Sequence, residues 1–308
     1  MLSGPRRVAV IGANGFLGAS LVDALLAQGA RVNAFDRYST PPRHRVTPDV
    51  TLYQGDLLEP GSLTEVVKGA HDVFHFTTLT GPQDSARDPM RDIATNVTAG
   101  VGLFSLCAEA DVQRVFFASS GGTVYGTAPM PHTEERARNP ISPYGIGKTS
   151  LENYLRFFEA QHGLESVSLR ISNPYGPGQK PGTQQGIIPI ALRAARDGLP
   201  LRRFGDGSMT RDYIYAPDLI DMVLRIWDRP KAHTYNLGAG AGTRLGEVLQ
   251  LVQEVTGREL ELEEVAVPMS FVHTSVLDVT RYHAHYGPPR LTPMREGIEA
   301  TWERIRHE

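Results

Sequence analysis

The sequence predicts an α/β protein: a doubly wound parallel sheet covered by helices on both faces, followed by a smaller, discontinuous C-terminal lobe. Short apolar runs alternate with segments of helical periodicity from residue 7 onward. The runs are continuously hydrophobic, as strands buried on both faces must be, where half-exposed strands would alternate. Length agrees: 308 residues, at about 150 per domain, allow two domains or one large α/β unit with an added lobe.

Strands are expected at 7–11 (RVAVI), 31–35 (RVNAF), 50–53, 72–76 (DVFHF), 114–118 (RVFFA) and 166–171. Between them, helical patterns cover 16–28, 58–68, 90–110 and 142–161. In the segment 90–110, Ile93, Val97, Val101, Phe104 and Cys107 recur near helical spacing. After Pro174 the texture changes. Residues 174–186 (PYGPGQKPGTQQG) are rich in Pro and Gly and read as a substrate-facing loop without regular structure. Helices at 187–197, 216–228, 245–255 and about 295–306 follow, with a short strand at 201–204. A strand at 235–237 is placed to rejoin the main sheet.

Composition excludes several classes. Hydrophobic residues at 41% and charged residues at 21% suit a globular core, and exclude a disordered or coiled-coil chain. The formal charge of −3 has no basic cluster behind it, so neither nucleic acid nor a membrane surface is an expected partner. A single cysteine, Cys107, excludes an internal disulfide and a thiolate metal cluster. His283 and His285 lack acids at ligand spacing, so no metal is expected. No apolar run reaches the roughly 18 residues of a membrane span, and residues 1–7 carry no leader-like apolar stretch; a cytoplasmic chain is expected.

Gly12-Ala13-Asn14-Gly15-Phe16-Leu17-Gly18 follows the first strand and opens the first helix. Gly12 suits a tight turn, Gly15 the approach of a pyrophosphate, and Gly18 close packing of helix on strand. Asp36 ends the second strand, where a carboxylate accepts two ribose hydroxyl bonds and repels a 2′-phosphate. The pattern predicts a Rossmann-type domain holding NAD, although the neighbouring Arg37 is a cation that tolerates a 2′-phosphate. Asp56 and Leu57, after the third strand, are placed to reach adenine. The expected NAD domain spans 1–173 plus about 213–240, and the substrate lobe 174–212 and 241–308, with the active site between them.

Tyr144-x-x-x-Lys148 puts a phenol and an ammonium on one helix face. A nearby ammonium stabilises a phenolate and fits Tyr144 to act as a general base. The hydroxyl-bearing run Ser119 to Gly126 precedes it. These motifs, together with Gly55-Asp56-Leu57, His75-Phe76-Thr77-Thr78, Asn96, Arg170-x-Ser172-Asn173-Pro174-Tyr175-Gly176 and Gly205 to Ile214, resemble those of the extended short-chain dehydrogenase/reductases. Within these, the chain is similar to the nucleotide-sugar epimerases and dehydratases related to UDP-galactose 4-epimerase.

The resemblance implies a homodimer and a UDP- or dTDP-hexose substrate, epimerised at C4 through a 4-keto sugar by retained NAD. A reductase or decarboxylase of a nucleotide sugar is the alternative. It implies that Phe76, Thr77, Thr78, Asn96, Ser119, Tyr144 and Lys148 line the cofactor with the glycine loop. Asn173 and Arg211 would hold the diphosphate, with Gly186 and Ile187 also at the substrate. The dehydratases' Asp-Glu pair is replaced by Gly122 and Thr123, which disfavours dehydration. The family hydroxyl often stands at Gly121; Ser120, then Thr123, are the candidate replacements. The family's late Arg and Asp for the nucleotide fall at Pro268 and Phe271. Ser275 occupies a position where a bulky residue accompanies unsubstituted hexoses, and is expected to leave room for a larger or different sugar. His75 is read as a structural histidine.

Overall fold

The computed structural model describes residues 5–59, 61–179, 186–267 and 271–308. In chain order it contains β1 (Arg7–Ile11), α1 (Phe16–Ala27), β2 (Arg31–Asp36), β3 (Val50–Gln54), α2 (Thr64–Val67), β4 (Asp72–His75), α3 (Pro82–Arg87) and α4 (Pro89–Asp92). A π-helical turn (Ile93–Thr98), α5 (Ala99–Glu109), β5 (Arg114–Ser120), α6 (Pro143–His162), β6 (Glu165–Ile171) and β7 (Asn173–Tyr175) follow. Then come α7 (Ile187–Asp197), β8 (Leu201–Phe204), β9 (Thr210–Tyr215), α8 (Ala216–Asp228) and β10 (Thr234–Leu237). The chain closes with β11 (Gly242–Arg244), α9 (Leu245–Thr256), β12 (Leu262–Val265), β13 (Thr274–Ser275), α10 (Thr280–Tyr286) and α11 (Met294–Ile305).

Seven strands form the expected Rossmann-type parallel sheet in the order β10-β6-β5-β4-β1-β2-β3. Val8, Val10, Val73 and Val115 are fully buried within it, and Phe74 stacks on Phe116 with ring centroids 4.6 Å apart. The order reverses at β1, which pairs with β2 on one side and β4 on the other. Ligands of such sheets sit beyond the strand C-termini at that reversal. The glycine loop, Asp36, His75 and Ser120 all lie at such termini.

The chain divides into two compact units, residues 1–120, 142–170 and 223–235, and residues 121–141, 171–222 and 236–308. Residues 121–141, assigned from sequence to the first domain, thus pack with the second unit. Tyr125 donates to Asn236 at 2.7 Å, and His132 exchanges backbone bonds with Val276 and Asp278. In that unit β9 pairs with β11, β13 and β7, and β8 pairs with β12. Ile188, Leu192, Val248, Val252 and Trp302 of α7, α9 and α11 share one core.

Three local expectations change. The helix at 58–68 shrinks to α2, because Gly61 takes a left-handed φ of 82° that interrupts a right-handed helix. The helix at 90–110 is composite: Asp88 caps α4 by accepting from the Arg91 amide at 2.9 Å, and the π-helical turn intervenes before α5. Within the supposed loop 174–186, Asn173–Tyr175 is a strand, because β9 lies beside it with Asn173 opposite Tyr213. Residues 180–185 of that stretch lie outside the described residues.

Candidate active site

The glycine loop has the shape of a phosphate cradle. Gly12 adopts φ +94°, and a Cβ there would meet Thr77 Oγ1 at 2.5 Å. A Cβ on Gly18 would strike the Gly12 carbonyl. Helix α1 begins at Phe16 after Gly15, with no side-chain cap and no acid in its first turn. Its first amides therefore lack intrahelical acceptors and face a favourable dipole for anions. Asp36 is held by two amides, Asn14 N–H on Oδ2 at 3.0 Å and Arg37 N–H on Oδ1 at 2.8 Å. Each carboxylate oxygen keeps a lone pair for a ribose hydroxyl. A cradle without Cβ atoms, open amides and an oriented carboxylate fit a dinucleotide.

Phe16 and Leu17 are half-buried in the first turn of α1, and Leu57 is buried. The Asp56 side chain accepts from the Leu58 amide at 3.0 Å, and so closes its own turn. Phe76 continues β4, its amide donating to Ile11 at 2.9 Å. Asn96 is fully engaged: its amide donates to Thr80 Oγ1 at 2.6 Å and Asp92 at 2.9 Å, and accepts from the Leu79 amide at 2.9 Å. It therefore shapes the turn after β4 from behind.

On α6, Ser142 caps the helix by accepting from the Gly145 amide. Tyr144 and Lys148 then project from one face. Lys148 Nζ lies 5.6 Å from the Tyr144 ring centroid and donates to Thr78 Oγ1 at 3.1 Å and Ala118 O at 2.8 Å. Burial pushes the Tyr144 phenol up to about 12, while its hydrogen bond with Thr78 acts the other way. Burial draws the Lys148 ammonium down to about 8, against the pull of Asp92 and Glu152. Added positive charge nearby is what would let such a phenol ionise nearer neutrality. Ser120 is the last residue of β5 and is half-buried.

Two buried carboxylates that the motifs passed over stand behind this pair. Glu152, one turn beyond Lys148, accepts from Ser119 at 2.5 Å and from Arg170 at 2.7 and 3.1 Å. Ser119 is thereby committed to the protein. Asp92 accepts from Thr80 at 2.5 Å. The helical spacing from Lys148 to Glu152 was the available signal for one; nothing in the sequence marked the other. His75 is buried, stacked on Phe117 with centroids 5.5 Å apart, and burial takes its imidazole down to about 3. A cation-averse, aromatic site is that of a structural histidine.

In the second unit, Arg211 is pinned by carbonyls. Its guanidinium donates to Thr210 O at 2.8 Å, His273 O at 3.0 Å and Val272 O at 2.6 Å. Among the described residues Nε and one Nη2 hydrogen have no acceptor, and guanidinium N–H groups of this kind suit a phosphate. Asn173 donates to Asp212 O at 3.0 Å. Asp212 is itself buried, accepting from the Ala239 and Gly240 amides at 2.8 and 3.2 Å. The Thr123 hydroxyl is buried and has no hydrogen-bond partner among the described residues. Gly186 precedes α7 at φ +86°, and Ile187 is its first residue. Ser275 lies in β13 opposite Arg211 and is 3% exposed, which leaves little open room beside it. Phe271 packs edge-on against Phe204 at 5.2 Å; Pro268 lies outside the described residues.

Comparison with known proteins gives the family. Residues 8–238 match the NAD dependent epimerase/dehydratase family. The dTDP-4-dehydro-6-deoxyglucose reductase of Escherichia coli is 31% identical, with 97% of each chain covered. The UDP-glucose 4-epimerase of Mycolicibacterium smegmatis is 31% identical over 98% of this chain and 99% of that one. The crystal structure of Thermus thermophilus UDP-glucose 4-epimerase in complex with NAD superposes with a TM-score of 0.89 at 31% identity, over 97% of this chain and 99% of that one. The chain belongs to the NAD-dependent epimerase/dehydratase family.

Proposed function

We propose that this enzyme inverts the C4 centre of a nucleotide-activated hexose, carried by UDP or dTDP, through a transient 4-keto sugar. The observation that carries the reading is the Tyr144–Thr78–Lys148 cluster at the sheet's C-terminal edge. Tyr144 takes the C4 hydroxyl proton at its phenolate oxygen and later returns it. Lys148 holds positive charge beside that oxygen, and Ser120 or Thr123 donates to the sugar oxygen. Bound NAD, held by the glycine loop and Asp36, supplies the hydride acceptor and donor. Arg211, by its open Nε–Nη2 edge, and Asn173 hold the diphosphate. Gly122 and Thr123 offer no carboxylate to eliminate water, which argues against dehydration.

Exposed Met90, Ile93, Ile146, Tyr154 and Phe157 on α4, the π turn and α6 form the face through which we propose that two copies pair. A second reading, net reduction of a 4-keto nucleotide sugar, is favoured by the reductase relative at 31% identity. Proton NMR of the purified protein with UDP- and dTDP-hexoses, with no added cofactor, separates the two. Catalytic conversion of one sugar to its C4 epimer is expected. Turnover that needs stoichiometric reduced cofactor would overturn the epimerase reading.

A further inference from the structure

Asn14 sits inside the glycine loop, yet its side chain faces away from the loop's own backbone and ties down another segment. Its amide nitrogen donates to Thr40 O at 3.1 Å, with Thr40 Oγ1 at 3.3 Å and Pro41 O at 3.4 Å. Its amide oxygen accepts from the Arg43 N–H at 2.8 Å. Asn14 is 3% exposed, whereas Thr40 and Pro41 lie on the surface. Its backbone N–H meanwhile orients the Asp36 carboxylate at 3.0 Å. One residue thus joins the phosphate loop, the ribose acid and the connection that follows β2.

Other fastenings lie on either side of residues 40–43. Tyr38, at φ 44°, meets His44 Nε2 at 3.0 Å, and the Arg45 amide donates to Asp23 at 2.7 Å. A surface segment fastened by hydrogen bonds is the kind that opens locally while the fold stays intact. Pro41 and Pro42 limit the conformations it can adopt when free.

We propose that Asn14 is a latch: its side chain closes segment 40–43 beside the ribose acid, and this closure sets how slowly NAD leaves. The argument rests on NAD dependence alone, and it deepens the epimerase reading, because a cofactor reused at each turnover is best kept behind a closed segment. Closure and cofactor binding share the glycine loop and Asp36, so each must favour the other by linkage.

The test follows release of radiolabelled NAD from loaded protein into excess unlabelled NAD. Asn14→Ala is expected to speed release by roughly tenfold or more, as loss of this bonding set implies, with association little changed. The Thr40 and Arg43 amides of the unaltered protein are expected to exchange hydrogen more slowly with NAD than without it; Pro41 and Pro42 have no amide hydrogen. Release from Asn14→Ala at the unaltered rate would overturn the latch. So would exchange at Thr40 and Arg43 indifferent to NAD, and this second measurement decides the matter if the variant does not fold. Neither readout involves a sugar, so failure of the epimerase reading in the NMR panel leaves both outcomes interpretable.

Discussion

At the scale of single residues, Tyr144 and Lys148 occupy one half-dry corner, and burial moves each toward its neutral form. Tyr144→Phe keeps the ring that packs there and deletes the oxygen. Turnover should fall by about 10²–10⁴, the usual worth of a positioned acid–base group, with NAD affinity by calorimetry within twofold of the unaltered protein. A base works deprotonated, so activity rises with pH through its ionisation. Removing the cation in Lys148→Met disfavours the phenolate and shifts that rise to higher pH, which a pH–rate profile reads directly. His75 supplies a stability counterpart. Its imidazole stays neutral in the fold down to about 3, whereas the unfolded chain takes up a proton near 6.5. The stability this contributes is full above 6.5 and declines from there toward 3, by up to about 1.4 kcal/mol per pH unit. Urea unfolding at pH 5 and 7.5 should show a shallower acid loss in His75→Phe.

At the scale of elements, α6 carries the proposed Tyr144–Lys148 pair on one turn and the residue that braces it on the next. Glu152 binds Ser119 of β5 and Arg170 of β6, so helix and sheet are cross-linked directly behind Lys148. Both partners of the ion pair have side chains 2% exposed. Truncating one leaves a buried, uncompensated guanidinium. Glu152→Ala should therefore cost about 3–5 kcal/mol in denaturant unfolding. The π-helical turn has a comparable duty: Asn96 and Asp92 grip Thr80 on both sides, which fixes the turn from which Thr78 reaches Lys148.

At the scale of the molecule, apolar residues stand exposed along α4 and α6 of the first unit. Phe157 is 51% exposed and Met90 72%, and an apolar face of this kind is usually covered by a partner. Phe157→Glu should convert a dimer to a monomer in sedimentation equilibrium, with unfolding midpoint little changed. A monomeric unaltered protein at micromolar concentration would remove the dimer proposal.

Much of this was legible in the residues themselves, because the signals are local. Five buried apolar runs, the glycine spacing and the acid ending β2 depend on neighbours within a few positions, and so the parallel sheet, the phosphate cradle and the Tyr144–Lys148 face could be read from periodicity and spacing. Strands β7, β11 and β13 could not, since each is two or three residues long and extended only because β9 lies beside it. The commitment of Ser119 to Glu152, the turning of Asn96 onto Thr80 and the clasp of Asn14 on residues 40–43 were equally hidden. Each is a hydrogen bond between side chains and segments far apart in sequence, and a donor's choice among several acceptors is made only when folding brings one of them within about 3 Å.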